Sequence, residues 1–163
     1  MTGQTDIMAL VCPDEAATEA LGRALATRLK TGDVIALSGP LGAGKTALAR
    51  AVIRAATGRA DMAVPSPSFT LVQIYEGGPD GAPLWHVDLY RLAHPEELIE
   101  LGLEDAFRDA ITLVEWPAQA AGGLPAARLD IDITPTGDTA REISLAGGRG
   151  WARRLKGLSE ALS

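Results

Sequence analysis

The stretch "SGPLGAGKTALAR", residues 38–50, decides the fold. Gly39, Gly44, Lys45 and Thr46 satisfy the phosphate-loop pattern G-x-x-x-x-G-K-[ST]. The short apolar run Val34-Ile35-Ala36-Leu37 precedes it and reads as a buried strand. Behind it, Leu48, Ala51, Val52 and Ala55 recur at helical spacing. The order is therefore strand, glycine loop, helix. Glycines let the chain curl so that successive N–H groups face one concavity, and the helix adds its own unpaired N–H groups and positive dipole end. That field suits a polyphosphate. Gly39, Leu41, Gly42, Ala43, Gly44, Lys45, Thr46 and Ala47 are the candidate phosphate-binding residues, with Lys45 bringing a mobile charge and the Thr46 hydroxyl placed to ligate magnesium. The rival reading is a glycine turn that merely ends in Lys-Thr.

Composition narrows what surrounds this loop. With 163 residues, 47% of them hydrophobic, the chain suits one compact domain with an ordinary core. Its net charge of −6 argues against a protein that grips nucleic acid unaided by its phosphates. One cysteine, Cys12, excludes an internal disulfide framework or zinc cluster. No basic N-terminal segment leads into an apolar stretch, and no apolar run approaches membrane-spanning length, so a soluble cytoplasmic protein is expected.

Working outward, strands are expected at residues 7–11, 33–38, 69–75, 84–90, 111–114, 128–133 and 142–145. Pro13-Asp14-Glu15 opens a helix expected to reach about Leu29 and to be closed by Thr31-Gly32, and Pro95 starts a second short helix. The run Glu76–Pro83 reads as the turn of a hairpin. Near the C-terminus, Trp151 and Leu155 lie four apart, as docking of a terminal helix requires. Buried runs of parallel type beside a hairpin give an α/β fold: a phosphate-loop domain over residues 1–163, with a central mixed sheet, parallel plus antiparallel, flanked by helices.

A phosphate loop needs an acid opposite it to hold magnesium and orient the attacking group. Glu115 ends the strand Ile111-Thr112-Leu113-Val114, and Asp88 ends Leu84-Trp85-His86-Val87 and competes for the role. Ser66, Ser68 and Thr70 form a hydroxyl-bearing loop of the kind that senses a γ-phosphate, with an ordinary Ser/Thr turn as its rival. The chain contains no asparagine, which removes the Asn-Lys-x-Asp signature of guanine recognition. A small-molecule kinase stays open, with Arg91 and Arg108 as phosphoryl clamps. The basic cluster Arg149, Arg153, Arg154 and Lys156 reads either as a solvated helix face or as a tRNA contact.

Five stretches carry a specific resemblance: "SGPLGAGKT", "VPSPSFTLVQIYEG", "HVDLYRL", "LGLEDAF" and "LVEWP". Their order and spacing, from about Asp33 to Pro117, resemble the TsaE family, also called YjeE. These are ATPase subunits of the bacterial machinery that makes threonylcarbamoyladenosine beside the tRNA anticodon. The resemblance implies that Lys45 and its loop hold ATP, that Thr46 and Glu115 ligate Mg2+, and that Asp88 serves hydrolysis. It places Ser68 in the switch loop, where the family usually reads Ser-Pro-Thr. It also puts Trp116 at the rim of the site and Arg141 near a nucleotide contact. The implied partners are TsaD and TsaB, with tRNA met only through that assembly and no membrane involved. A catalytic set of Lys45, Asp88 and Glu115 follows, in an ATP hydrolase that is weak alone and dependent on its partners. A binding module that uses ATP only as a structural ligand is the third reading, beside the kinase.

Overall fold

A computed structural model describes residues 4–68, 70–148 and 150–162. Its strands are β1 Thr5–Cys12, β2 Val34–Ser38, β3 Val72–Tyr75, β4 Leu84–Asp88, β5 Ile111–Glu115, β6 Leu129–Pro135 and β7 Arg141–Gly147. They form one seven-stranded sheet in the order β1-β7-β6-β2-β5-β4-β3. The central strands β6, β2, β5 and β4 run parallel to one another. Both flanks are antiparallel: β7 lies between β6 and β1, and β3 folds back on β4 as a hairpin. The mixed sheet expected from the sequence is the one observed.

The helices are α1 Glu15–Ala26, α2 Lys45–Thr57, α3 Glu97–Glu100, α4 Leu103–Asp109, α5 Trp151–Arg154 and α6 Leu158–Ala161. Strand alternation sends Ile35, Leu37, Leu113 and Ile131 to one face, where they pack with Leu48 and Val52 of α2, Leu21 and Leu25 of α1, and Trp151. Val34, Val87 and Val114 point to the other face, against Leu98 of α3 and Leu103 of α4. The result is three layers over the β4-β5-β2 region. Over β6 and β7 the second face stays wet, because Asp132, Thr134, Glu142 and Ser144 alternate outward there.

Three expectations are corrected. Helix α1 ends at Ala26, not Leu29: the chain leaves the helix in a turn, yet Leu29 is still buried, so apolar periodicity runs past the last helical residue. The segment 103–109 carries a helix the sequence does not announce; the residue capping α4 at its start is Gly102, which has φ +78 and no side chain to advertise a cap. The third strand pairs only from Val72, because Leu71 turns to φ +67 and breaks the extended chain; Phe69, where that strand was expected to begin, lies outside the described residues.

The C-terminal basic cluster is also corrected in part. Arg154 is no solvated charge: its guanidinium pairs with both carboxylate oxygens of the buried Asp33, donates to the Arg28 carbonyl, and stacks 4.0 Å from the Trp151 ring centre. Arg153 and Lys156 are exposed, and Arg149 lies outside the described residues. Trp151 and Leu155 do dock on the core, at the start of α5 and at its C-cap, and a second short helix, α6, follows Gly157 where one terminal helix was expected. Arg154→Ala leaves Asp33 buried without its partner. It is expected to lower stability by about 2 kcal/mol, discounted from a fully buried pair because the arginine is partly exposed. A urea or thermal unfolding midpoint equal to wild type would contradict that assignment.

Candidate functional site

The glycine loop is shaped by two backbone constraints. Gly39 takes φ +151, and a Cβ there would lie 2.5 Å from the Ile133 carbonyl oxygen of β6, so a side chain would push the loop off the sheet. Gly44 takes φ +106 as the residue before α2, a conformation that turns the chain into the helix. The amides of the first helical turn, including that of Thr46, have no preceding helical carbonyl to bond and end at the loop. Ala43 N–H closes the turn on the Pro40 carbonyl at 3.0 Å. Leu41 is 77% exposed, which leaves its backbone as the part of the residue able to line the concavity.

Lys45 lies across this loop. Its ammonium donates to the Gly39 and Pro40 carbonyls at 2.8 and 2.9 Å and sits 4.0 Å from the centre of the Trp116 ring. Burial pushes its pKa down, opposed by the nearby carboxylates of Glu115 and Asp88. The side chain is therefore a cation held in a nearly dry place, bonded to neutral carbonyls.

The acidic wall follows from strand register. β4 and β5 align Asp88 beside Glu115, at the ends of two parallel strands, so both side chains leave the sheet on the α2 side. Both are buried. The Thr46 hydroxyl bridges the two carboxylate oxygens of Glu115 at 3.0 and 2.9 Å, and His86 Nε2 lies 2.6 Å from Oε2. Asp88 accepts the Tyr90 N–H at 2.9 Å. Burial raises the Asp88 pKa first and foremost; the Tyr90 bond pulls the other way, the Glu115 charge adds to the rise, and His86 and Lys45 oppose it.

Trp116 forms the rim. It has φ +57, a left-handed backbone that a large residue holds only when its surroundings impose it, and its ring leans on Tyr90 at 4.8 Å between centres. The hydroxyl loop is a separate element. Ser66 and Ser68 hydroxyls bond each other at 2.9 Å, and Thr70 accepts from the Gln73 amide. The loop is anchored on both sides: Arg50 and Arg54 of α2 donate to the Val64 and Met62 carbonyls, and the Leu71 carbonyl accepts the Asp88 N–H at 2.9 Å.

On the opposite side of the loop, a cavity of about 600 Å³ opens between α1, α2 and the β6–β7 turn. Gly44, Ala47, Arg50, Ile133 and Arg141 line it. Arg141 braces the loop from β7, with Nε donating to the Ala43 carbonyl at 2.6 Å and one terminal nitrogen to carbonyls of the β6–β7 turn.

Lys45, Thr46, Asp88, Glu115 and Trp116 thus meet in one place, while Arg141 and Ala47 border the cavity behind the loop. Ser68 is bonded within its own loop. Arg108, weighed as a phosphoryl clamp, sits exposed on α4 and pairs with Asp105. His86 and Tyr90 belong to the site although the sequence reading gave them no role. The signal was present for His86: it stands two residues before Asp88 on one strand and must share its face. As a hard-cation site, the hydroxyl of Thr46 with the carboxylate of Glu115 is an all-oxygen donor set of the type magnesium takes. Among the described residues no group of three or more His, Cys, Asp or Glu is arranged to hold a metal alone. The donor set therefore fits an ion that arrives with phosphate oxygens and keeps some of its waters. No helix among the described residues is long and apolar enough to cross a membrane.

Fold and site together define a class: an α/β domain whose glycine-rich strand-to-helix loop faces a buried wall of acids at the ends of parallel strands. Within that class the chain belongs to the TsaE family, whose model, described as "Threonylcarbamoyl adenosine biosynthesis protein TsaE", matches residues 12–143. It is similar to the Streptomyces coelicolor "tRNA threonylcarbamoyladenosine biosynthesis protein TsaE", 38% identical over 81% of this chain and 92% of the relative. The Bacillus subtilis protein of the same name is 38% identical over 82% of this chain and 80% of its own length. Among solved structures, the B. subtilis protein YdiB superposes with a TM-score of 0.75 at 31% identity, covering 96% of this chain and 95% of that one. The family match extends well beyond the stretch between Asp33 and Pro117 that carried the resemblance in the sequence.

Proposed function

We propose that the protein acts in tRNA threonylcarbamoyladenosine biosynthesis as a magnesium-dependent ATPase working on a TsaD–TsaB assembly. The observation that carries the ATPase reading is the convergence of Lys45, Thr46, Glu115 and Asp88 on the mouth of the glycine loop. Family membership carries the pathway.

In this reading the loop amides and α2 receive the phosphates, and Lys45 exchanges its two loop carbonyls for phosphate oxygens, a gain in charge pairing for a cation now bonded to neutral groups. The adenosine lies in the cavity between α1, α2 and the β6–β7 turn, whose volume falls in the range of small-molecule sites. Thr46 and Glu115 hold magnesium, which when bound neutralises charge on the phosphates. Asp88, buried and shifted toward protonation, is set to orient the attacking water and receive its proton. Trp116, backed by Tyr90, covers Lys45 and keeps bulk water off the reacting oxygens.

The test is ATP hydrolysis by the purified protein with magnesium, alone and with TsaD and TsaB from the same source. Stimulation of hydrolysis by the partners is expected. Phosphoryl transfer to a small hydroxyl compound, with no response to the partners, would replace this reading with the kinase. Thermal stabilisation by ATP without turnover under any condition would leave a binding module.

A further inference from the structure

The geometry points to His86 as a positioning residue: through one hydrogen bond to Glu115 it fixes the carboxylate that faces Thr46, and so sets the magnesium dependence of nucleotide binding. This rests on the magnesium–nucleotide reading above.

His86 lies in β4 beside Leu113 of β5, two residues before the Asp88–Glu115 pair, and its ring is 0% exposed. From there Nε2 reaches forward to Glu115 Oε2 at 2.6 Å. A carboxylate oxygen only accepts, so the proton between them belongs to Nε2; a bare nitrogen lone pair at that distance would repel it. The other ring nitrogen, Nδ1, is buried with no hydrogen-bond partner among the described residues. An ordinary core histidine would have both nitrogens satisfied, and a leucine or phenylalanine in this slot would leave no orphan at all. The interaction that sets histidine apart from such a residue is therefore the bond to Glu115.

That bond does something Thr46 does not. The terminal torsion of a glutamate is broad and close to two-fold. The Thr46 hydroxyl has one proton to share between two carboxylate oxygens at nearly equal distance, so its hold on the rotation of the group is weak. His86 touches one oxygen only. It adds a second, directional bond on Oε2 and leaves Oε1, which carries the hydroxyl contact alone, as the oxygen open to a cation held beside Thr46. Groups that orient a metal's ligands in this way commonly govern metal affinity by 10–100-fold.

The experiment compares the full-length wild type with His86→Leu, His86→Phe and His86→Gln, following a fluorescent ATP analogue by titration in EDTA and then across magnesium concentrations. Circular dichroism checks that each variant is folded. Expected is equal affinity in EDTA for all four, a magnesium midpoint raised by about 10–100-fold in the Leu and Phe variants, and recovery toward wild type in His86→Gln, which restores an N–H donor. An unchanged midpoint in a folded donor-free variant overturns the inference while the wild type still responds to magnesium. A wild type whose nucleotide binding ignores magnesium overturns the reading beneath it, and the inference with it. Imidazole ¹⁵N shifts of the unmodified protein need no variant and are simple to assign, since the chain has only two histidines. They are expected to place the proton of the buried ring on Nε2; a proton on Nδ1 alone would overturn the inference.

Discussion

Lys45→Ala is expected to lower magnesium–ATP turnover by about 10²–10³-fold, the loss that follows removal of one preorganised charge-stabilising donor from a dry site. The fold should survive. The lysine's polar bonds run to Gly39 and Pro40 in its own loop, and no strand or helix packing depends on them. Equilibrium binding of ATP should weaken in parallel, because the two loop carbonyls freed by the substitution offer a phosphate nothing but repulsion. Steady-state hydrolysis in the assembled complex is the measurement. Wild-type turnover in a folded Lys45→Ala protein would remove the phosphate-loop claim entirely.

Asp88→Asn separates binding from chemistry. The amide keeps an acceptor for the Tyr90 N–H but loses the capacity to take a proton, so ATP binding should persist while hydrolysis falls by roughly 10²–10⁴-fold, the range of a lost general base. Stability should move the other way. A carboxyl whose folded pKa lies above its unfolded value binds its proton more tightly in the folded chain, so it favours folding at low pH, and that contribution is lost as pH rises through the folded value. Above its folded pKa wild-type Asp88 is a desolvated carboxylate, a burden the asparagine does not carry. The variant should therefore melt higher than wild type near pH 7.5, by roughly 2–4 °C for each kcal/mol released, and the gap should shrink as pH is lowered. Full hydrolysis by Asp88→Asn, or a melting gap that widens on acidification, would each refute part of this account.

Much of the fold was legible because its signals are local. The run 34–37 ahead of Gly39, and the spacing of Leu48, Ala51 and Val52 behind it, define a strand–loop–helix unit without knowledge of the rest. The hairpin at 72–88 announced itself by glycine and proline between two alternating runs. Signals that depend on tertiary context failed. Leu29 keeps the helical period of α1 but is buried from a turn. Helix α4 is short, with Gly102 where a side-chain cap would have marked it. Arg154 reads as one charge in a basic run until Asp33, more than a hundred residues earlier, comes beside it. The candidate site divides the same way. Lys45, Thr46, Glu115 and Asp88 stand at motif positions or strand ends; alternation puts His86 on the face of Asp88, but its bond to Glu115 emerges only when the register of β4 against β5 is known.

The two anchors of the hydroxyl loop have a mechanical corollary. Between the carbonyl of Val64, tied to Arg50, and the carbonyl of Leu71, tied to Asp88, the chain is a tether of fixed contour, each residue spanning at most about 3.3–3.6 Å. One tie originates on the helix that carries Lys45 and Thr46, the other on the strand end that carries Asp88. Any excursion of the Ser66 and Ser68 hydroxyls is thereby bounded in reach, and it is executed without unzipping a strand. A tug on either post, from the cavity beside α2 through Arg50 or from the acidic wall through Asp88, is delivered to the same few residues.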